Sequence, residues 1–305
     1  MHTQESTAMQ PFDSKARVSF QNIILATDFG PSAQPALLYS LALARRTRTR
    51  LFLAHVVSPV KLFGQDAVQR AINDAWRSAH TEMTNQLIEG RLEGVENHVV
   101  VVQGDIWEEL SKMITKFKAD LLVVGTHGRT GVLRMLLGST AEKIFRQCPI
   151  PVLTVGAHLE GRIPSESGPR RLLYCTGFAP QSLYAGKYAL VIAQEQQAAL
   201  AMLHVIPQVE NDSAQKRAQL QAENAERLRS LIPAGARLPS PPETFVAFGN
   251  PGQAILKLAA DWNPDLIVLG VRRPEANSRL IARPTAYNVV SNAPCPVLTV
   301  KVPDE

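Results

Sequence analysis

The pentapeptide Pro151-Val-Leu-Thr-Val155 recurs unchanged as Pro296-Val-Leu-Thr-Val300, the last of five landmarks that repeat in one order. Asn22-Ile-Ile-Leu-Ala-Thr27 matches Arg171-Leu-Leu-Tyr-Cys-Thr176, and Leu51-Phe-Leu-Ala-His55-Val56 matches Ala201-Met-Leu-His204-Val205. Gly104-Asp105 matches Gly249-Asn250, and Asp120-Leu-Leu-Val-Val-Gly125 matches Asp265-Leu-Ile-Val-Leu-Gly270. The offset is 149 residues for the first two landmarks and 145 for the rest, so the second copy is shorter between its second and third strands. A period of domain size is a duplication and not a solenoid. At 305 residues the chain is long enough for two domains of ordinary size.

Within each copy, apolar strands alternate with helical patterns. In the first copy, strands are expected near 22–27, 51–57, 98–102, 121–125 and 151–155, and helices near 33–47, 66–90, 106–118 and 140–147. Two helix starts carry cap signals. Asp105 and Glu108 have capping-box spacing, and Asn250, Pro251 and Gln253 are their counterparts, with proline at the first helical position. Such alternation implies a parallel sheet covered on both faces. The expected organisation is a tail over 1–19, a first domain over 20–156, a glycine- and proline-bearing linker over 157–169 and a second domain over 170–302.

Composition excludes several classes. The chain is 45% hydrophobic and 19% charged, which predicts a packed core. Its apolar runs are strand-length, far short of the roughly 20 residues a membrane span needs, and residues 1–20 show no signal-peptide pattern. A net charge of +5 without a dense basic tract argues against nucleic acid as a partner. Arg45, Arg46, Arg48 and Arg50 read as the cationic end of a helix. Three cysteines without a CxxC, and histidines without ligand spacing, predict neither a disulfide framework nor a structural zinc site, and suit a reducing cytoplasm.

The chemistry-bearing motif follows the apolar run Leu121–Val124: Gly125-x2-Gly128-x9-Gly138-Ser139. Glycines allow close backbone approach, and Ser139 with Glu142 marks a capped helix whose N-terminus favours an anion, here a nucleotide phosphate. Ser139 suits both roles, cap and phosphate ligand. Asp28, just after the first strand, suits a ribose hydroxyl or a hard cation, or alternatively a cap for the segment starting near Pro31. Arg129, Arg134 and His127 fall inside the loop, where each has the chemistry to reach a phosphate; the arginines are expected instead to face solvent, and His127 has no visible partner. His55 and His204 recur at one strand position, which points to packing and not catalysis. The second copy loses the motif. Gly177 stands for Asp28, Arg273 for Gly128, Arg283 for Gly138 and Pro284 for Ser139, while Gly270 matches Gly125.

These residues identify a resemblance to tandem universal stress proteins over residues 20–302. The resemblance implies two tandem Rossmann-like (adenine nucleotide alpha hydrolase-like) α/β domains, each a five-stranded parallel sheet flanked by helices. It implies ATP, with Mg2+, in the first domain. Ala26, Thr27 and Asp28 would line the adenosine end, and Val56 and Val124 would contact adenine through backbone. Gly125 would begin the loop, and Gly128, Gly138, Ser139 and Thr140 would hold the phosphates. Magnesium would sit on Asp28 or on the phosphates alone. The two domains would pair edge to edge through their last strands, mimicking the dimer of single-domain members, with a homodimer as a further assembly. No catalytic base is evident near the loop, so a stress or signalling role without fast catalysis is expected. The alternatives are a slow ATPase or phosphotransferase, and a structural adaptor.

Overall fold

The computed structural model of the chain describes residues 11–13, 18, 20–29, 33–57, 65–88, 90, 93–125, 143–144, 147–156, 159, 168–207, 213–272 and 285–302. The first half runs β1 (Asn22–Ala26), α1 (Gln34–Thr47), β2 (Arg50–Val57), α2 (Gln65–Ile88), β3 (Asn97–Gln103), α3 (Ile106–Lys116), β4 (Leu121–Gly125) and β5 (Val152–Val155). The second runs β6 (Arg171–Thr176), α4 (Pro180–Gln196), β7 (Ala199–Ile206), α5 (Ala214–Arg229), β8 (Glu243–Phe248), α6 (Pro251–Trp262), β9 (Leu266–Gly270), α7 (Thr285–Asn292) and β10 (Val297–Val300). This is the α/β class expected from the alternation.

The strands form one sheet in the order β3-β2-β1-β4-β5-β10-β9-β6-β7-β8. Every pairing inside a half is parallel, for example Ile23 with Leu51 and Leu121. The seam is antiparallel, with Leu298 opposite Leu153, Val297 opposite Thr154 and Thr299 opposite Val152. The two copies are thus related by a pseudo-two-fold axis through the Leu153–Leu298 pair.

Strand side chains alternate between two faces. On one face Leu25, Leu53 and Val123 pack with Leu37 and Leu41 of α1, and this core runs across the seam to Leu172, Tyr174 and Met202. The opposite face carries two separate cores. Ile24, Phe52 and Leu122 lie against Leu110 and Met113 of α3, while Leu173, Leu203 and Ile267 lie against Ile255 of α6 and Val289 of α7.

The repeated sequence signals have repeated structures. Asp105 accepts from the backbone N–H groups of Trp107 and Glu108 at 3.0 and 3.1 Å, and Asn250 caps α6 through Gln253 N at 3.1 Å. Asp120 accepts from the N–H groups of Gln21 and Asn22, and Asp265 accepts from those of Arg170 and Arg171, so each copy ties its fourth strand to the start of its first. Arg48 and Gln197, one period apart, end α1 and α4 in the left-handed region at φ 53 and 49.

The segment before β1 joins the second half. Phe12 is 6% exposed, and its ring meets Tyr174 edge-on at 5.9 Å. Its N–H donates to Leu231 O at 2.8 Å. The socket exists because α4 carries Gly186, where a Cβ would lie 2.1 Å from Phe12 Cζ. One period earlier, α1 has Leu37 at this position, and it fills the equivalent space itself. Phe12 supplies in trans the apolar volume that the second copy's helix lacks.

Candidate functional site

Strand order reverses at β1, whose neighbours β2 and β4 are reached by crossovers to opposite sides. In open parallel sheets, ligands bind beyond the carboxyl ends of strands at such a point. The register brings together there Ala26, aligned with Ala54 and Val124, then Val56 two residues along β2, and Gly125 at the end of β4. Val124 is buried, while Ala26, Thr27, Asp28, Val56 and Gly125 are half-buried. Gly128, Gly138, Ser139 and Thr140 lie outside the described residues, as do Glu142, His127, Arg129 and Arg134.

The turn after β1 is held at several points. Thr27 N–H donates to Ala54 O at 3.0 Å, which extends the β1–β2 ladder by one residue. Thr27 Oγ1 accepts from Phe29 N at 3.0 Å, and Phe29 sits in the left-handed region at φ 55. His55 Nδ1 lies 2.7 Å from Thr27 O. A carbonyl only accepts, so Nδ1 carries the proton and donates. The Phe29 ring packs on the His55 ring at 5.6 Å. Asp28 is therefore presented by a turn fixed on both flanks. Helix α1 begins after Ala33 at its N-cap, which makes no side-chain cap bond.

The second half repeats this turn without the carboxylate. Phe178 N donates to Thr176 Oγ1 at 2.9 Å, His204 Nδ1 donates to Thr176 O at 2.9 Å, and Phe178 has φ 60. A Cβ at Gly177, the counterpart of Asp28, would meet no heavy atom within 4 Å, so the space for a side chain is there and unused. Instead the guanidinium of Arg227, from α5, stacks on Phe178 at 4.0 Å. Burial pulls the His204 imidazole below its ordinary pKa; the carbonyl of Thr176 opposes this and Arg227 adds to it.

Two readings sharpen here. The packing role expected of His55 and His204 is an anchoring role, since each ring fixes the carbonyl at the end of its domain's first strand. The signal was the recurrence of Thr-x-Phe with the histidine, at Thr27–Phe29 with His55 and at Thr176–Phe178 with His204. Gly270 persists in the copy without the loop because a Cβ there would come within 2.3 Å of Gln181 O and 2.4 Å of Ser182 Cα. The first turn of α4 passes directly over it. The glycine at this position answers to helix–strand packing as well as to any ligand.

Among the described residues, no cluster of three or more His, Cys, Asp or Glu side chains could hold a metal ion, and no helix is long and apolar enough to cross a membrane. Cys148, Cys175 and Cys295 are buried thiols; burial pushes Cys148 up to about 11, which makes it a poor nucleophile.

The model of the universal stress protein family matches residues 19–156 and again residues 168–301. A universal stress protein of Methanocaldococcus jannaschii is 28% identical over 139 residues, a match covering 45% of this chain and 82% of that protein. A Thermus aquaticus universal stress protein is 30% identical over 142 residues, covering 45% of this chain and 98% of that one. Each of these corresponds to one copy of the repeat. The crystal structure of a universal stress protein from Archaeoglobus fulgidus shares the fold over 92% of this chain and 98% of its own, with a TM-score of 0.67 at 20% identity.

Proposed function

The chain belongs to the universal stress protein family, in tandem form, and we propose that it binds one ATP, in its first half, as a stress or signalling protein without fast catalysis. The observation that carries this reading is the convergence of Ala26–Asp28, Val56 and Val124–Gly125 at the switch point of the first half, where the second half offers Gly177 and a stacked Arg227. In this reading Val56 and Val124 present strand-end backbone to the base, and Asp28 accepts from a ribose hydroxyl. Gly128, Gly138, Ser139 and Thr140 receive the phosphates at a helix N-terminus. The donor set suits a hard cation only in part. Asp28 offers a carboxylate oxygen, and no further acidic cluster accompanies it among the described residues. Magnesium therefore enters with the phosphates, which it neutralises, with Asp28 as its candidate protein ligand.

The second copy serves as a fixed partner. The antiparallel β5–β10 seam supports its standing in for the second protomer of a dimer and covering both edges. No residue is assigned as a catalytic base, and a cytoplasmic location is in keeping with three buried thiols.

Titration calorimetry with ATP and magnesium tests the reading, with an expected stoichiometry of about one per chain. No binding refutes the nucleotide assignment, and a value near two refutes the asymmetry.

A further inference from the structure

The seam has a second consequence, on the face of the sheet that carries α1 and α4. A cavity of about 440 Å³ lies between the carboxyl halves of α1 and α4, floored by Leu121 and Leu153 of one copy and Leu266 and Leu298 of the other. Its volume falls within the roughly 300–1,000 Å³ typical of small-molecule sites, which favour domain interfaces. The lining follows the pseudo-two-fold axis. Leu43 faces Ile192, one period on, and Leu121 and Leu153 face Leu266 and Leu298.

One pair breaks that symmetry. Arg46 occupies the position in α1 that Glu195 occupies in α4, and both line the cavity. Arg46 is partly buried, whereas Glu195 is exposed. The Arg46 Nε–H is buried with no acceptor, although a buried donor without a partner is costly. Burial pulls the guanidinium below its ordinary pKa, and Glu195 pushes it back. The cavity therefore combines an apolar floor with one cation whose Nε–H has no acceptor. The other carboxylate on its wall, Asp265, is engaged by the N–H groups of Arg170 and Arg171.

We propose that this cavity binds a small monocarboxylate with an apolar body, its chain on the four leucines and its carboxylate on Arg46. A carboxylate matches the planar fork of the guanidinium and supplies the acceptor that Nε–H lacks. A neutral amphiphile of the same length offers the same apolar contact without the charge. The proposal is independent of the nucleotide reading, since the cavity shares no lining residue with Ala26–Asp28, Val56 or Val124–Gly125.

The test is calorimetric titration of the full chain with decanoate and, separately, with decanol. Saturable binding of one decanoate per chain is expected, with decanol at least about tenfold weaker. Arg46→Met should reduce decanoate affinity to that of decanol. Ala42→Phe, which places a ring in the cavity from α1, should abolish binding of both. No saturable decanoate binding by the unmodified chain overturns the proposal, as does equal affinity for decanoate and decanol. Unchanged binding by a folded Ala42→Phe variant, judged by its melting temperature, also overturns it by placing the ligand elsewhere. The comparison of the two ligands on the unmodified chain decides even if a variant fails to fold.

Discussion

Truncating Phe12 to alanine should destabilise the second half of the molecule, although Phe12 precedes the first strand of the first half. The ring is 6% exposed and touches Tyr174, and the three atoms nearest a Cβ at Gly186 all belong to it. Removing a buried phenylalanine costs about 3–5 kcal/mol where the surroundings cannot collapse. The backbone of α4 closes one side of this socket and Tyr174 another, so little collapse is available. Gly186→Leu, which restores the residue found at Leu37, should also destabilise, because its Cβ alone would lie 2.1 Å from Phe12 Cζ. The two changes together should be less harmful than the sum of the singles, since the new leucine occupies the space the ring leaves. Such coupling is the signature of a shared volume, of order 0.5–3 kcal/mol. Urea unfolding of the four proteins measures it, with hydrogen exchange across α4 as the local readout. A Phe12→Ala loss below about 1 kcal/mol, with exchange in α4 unchanged, would refute the claim that Phe12 belongs to this core.

Asp28→Ala should weaken ATP affinity by about ten- to a hundredfold, the worth of roughly 1–3 kcal/mol for one buried hydrogen bond, with an unchanged melting temperature; calorimetry and thermal unfolding on the same sample check both. Gly138→Arg copies into the first half the arginine that the second half carries as Arg283 and should abolish ATP binding in a folded protein; retained affinity would remove Gly138 from the site. The His204 imidazole should titrate below 6.5 by NMR, because burial disfavours its charged form. The unfolded chain then binds the proton more readily than the native one, so stability falls as pH drops from about 6.5 toward the native pKa. A native pKa above 6.5 would contradict this.

Much of the frame was legible because its signals are local. The Asp105 and Asn250 caps act within three residues of themselves, and the duplication made every strand visible twice. Which strand ends meet was less legible, since Asp28, Val56 and Val124 come together only because β4, crossing over from β3, pairs with β1, which no local pattern encodes. The socket of Phe12 was not legible at all. A lone apolar residue in a polar segment has no period, and the replacement of Leu37 by Gly186 gains meaning only once a ring is seen in the gap. The anchoring bond of His55 was half legible, as the recurrence marked the position but not the Nδ1 contact to Thr27 O.

The route of Phe12 also sets an order of events during synthesis. The residue leaves the ribosome ahead of its partners in the second half. Tyr174 and Gly186 follow much later, and Leu231, which accepts its N–H, later still. At about 5–20 residues per second, the wait between Phe12 and Leu231 is on the order of 10–45 s. The first half can fold during that interval with its leading segment undocked. The second half completes its core only when the segment around Phe12 reaches back to it. The seam waits longer still, since β10, which joins the two halves, is made after every other strand.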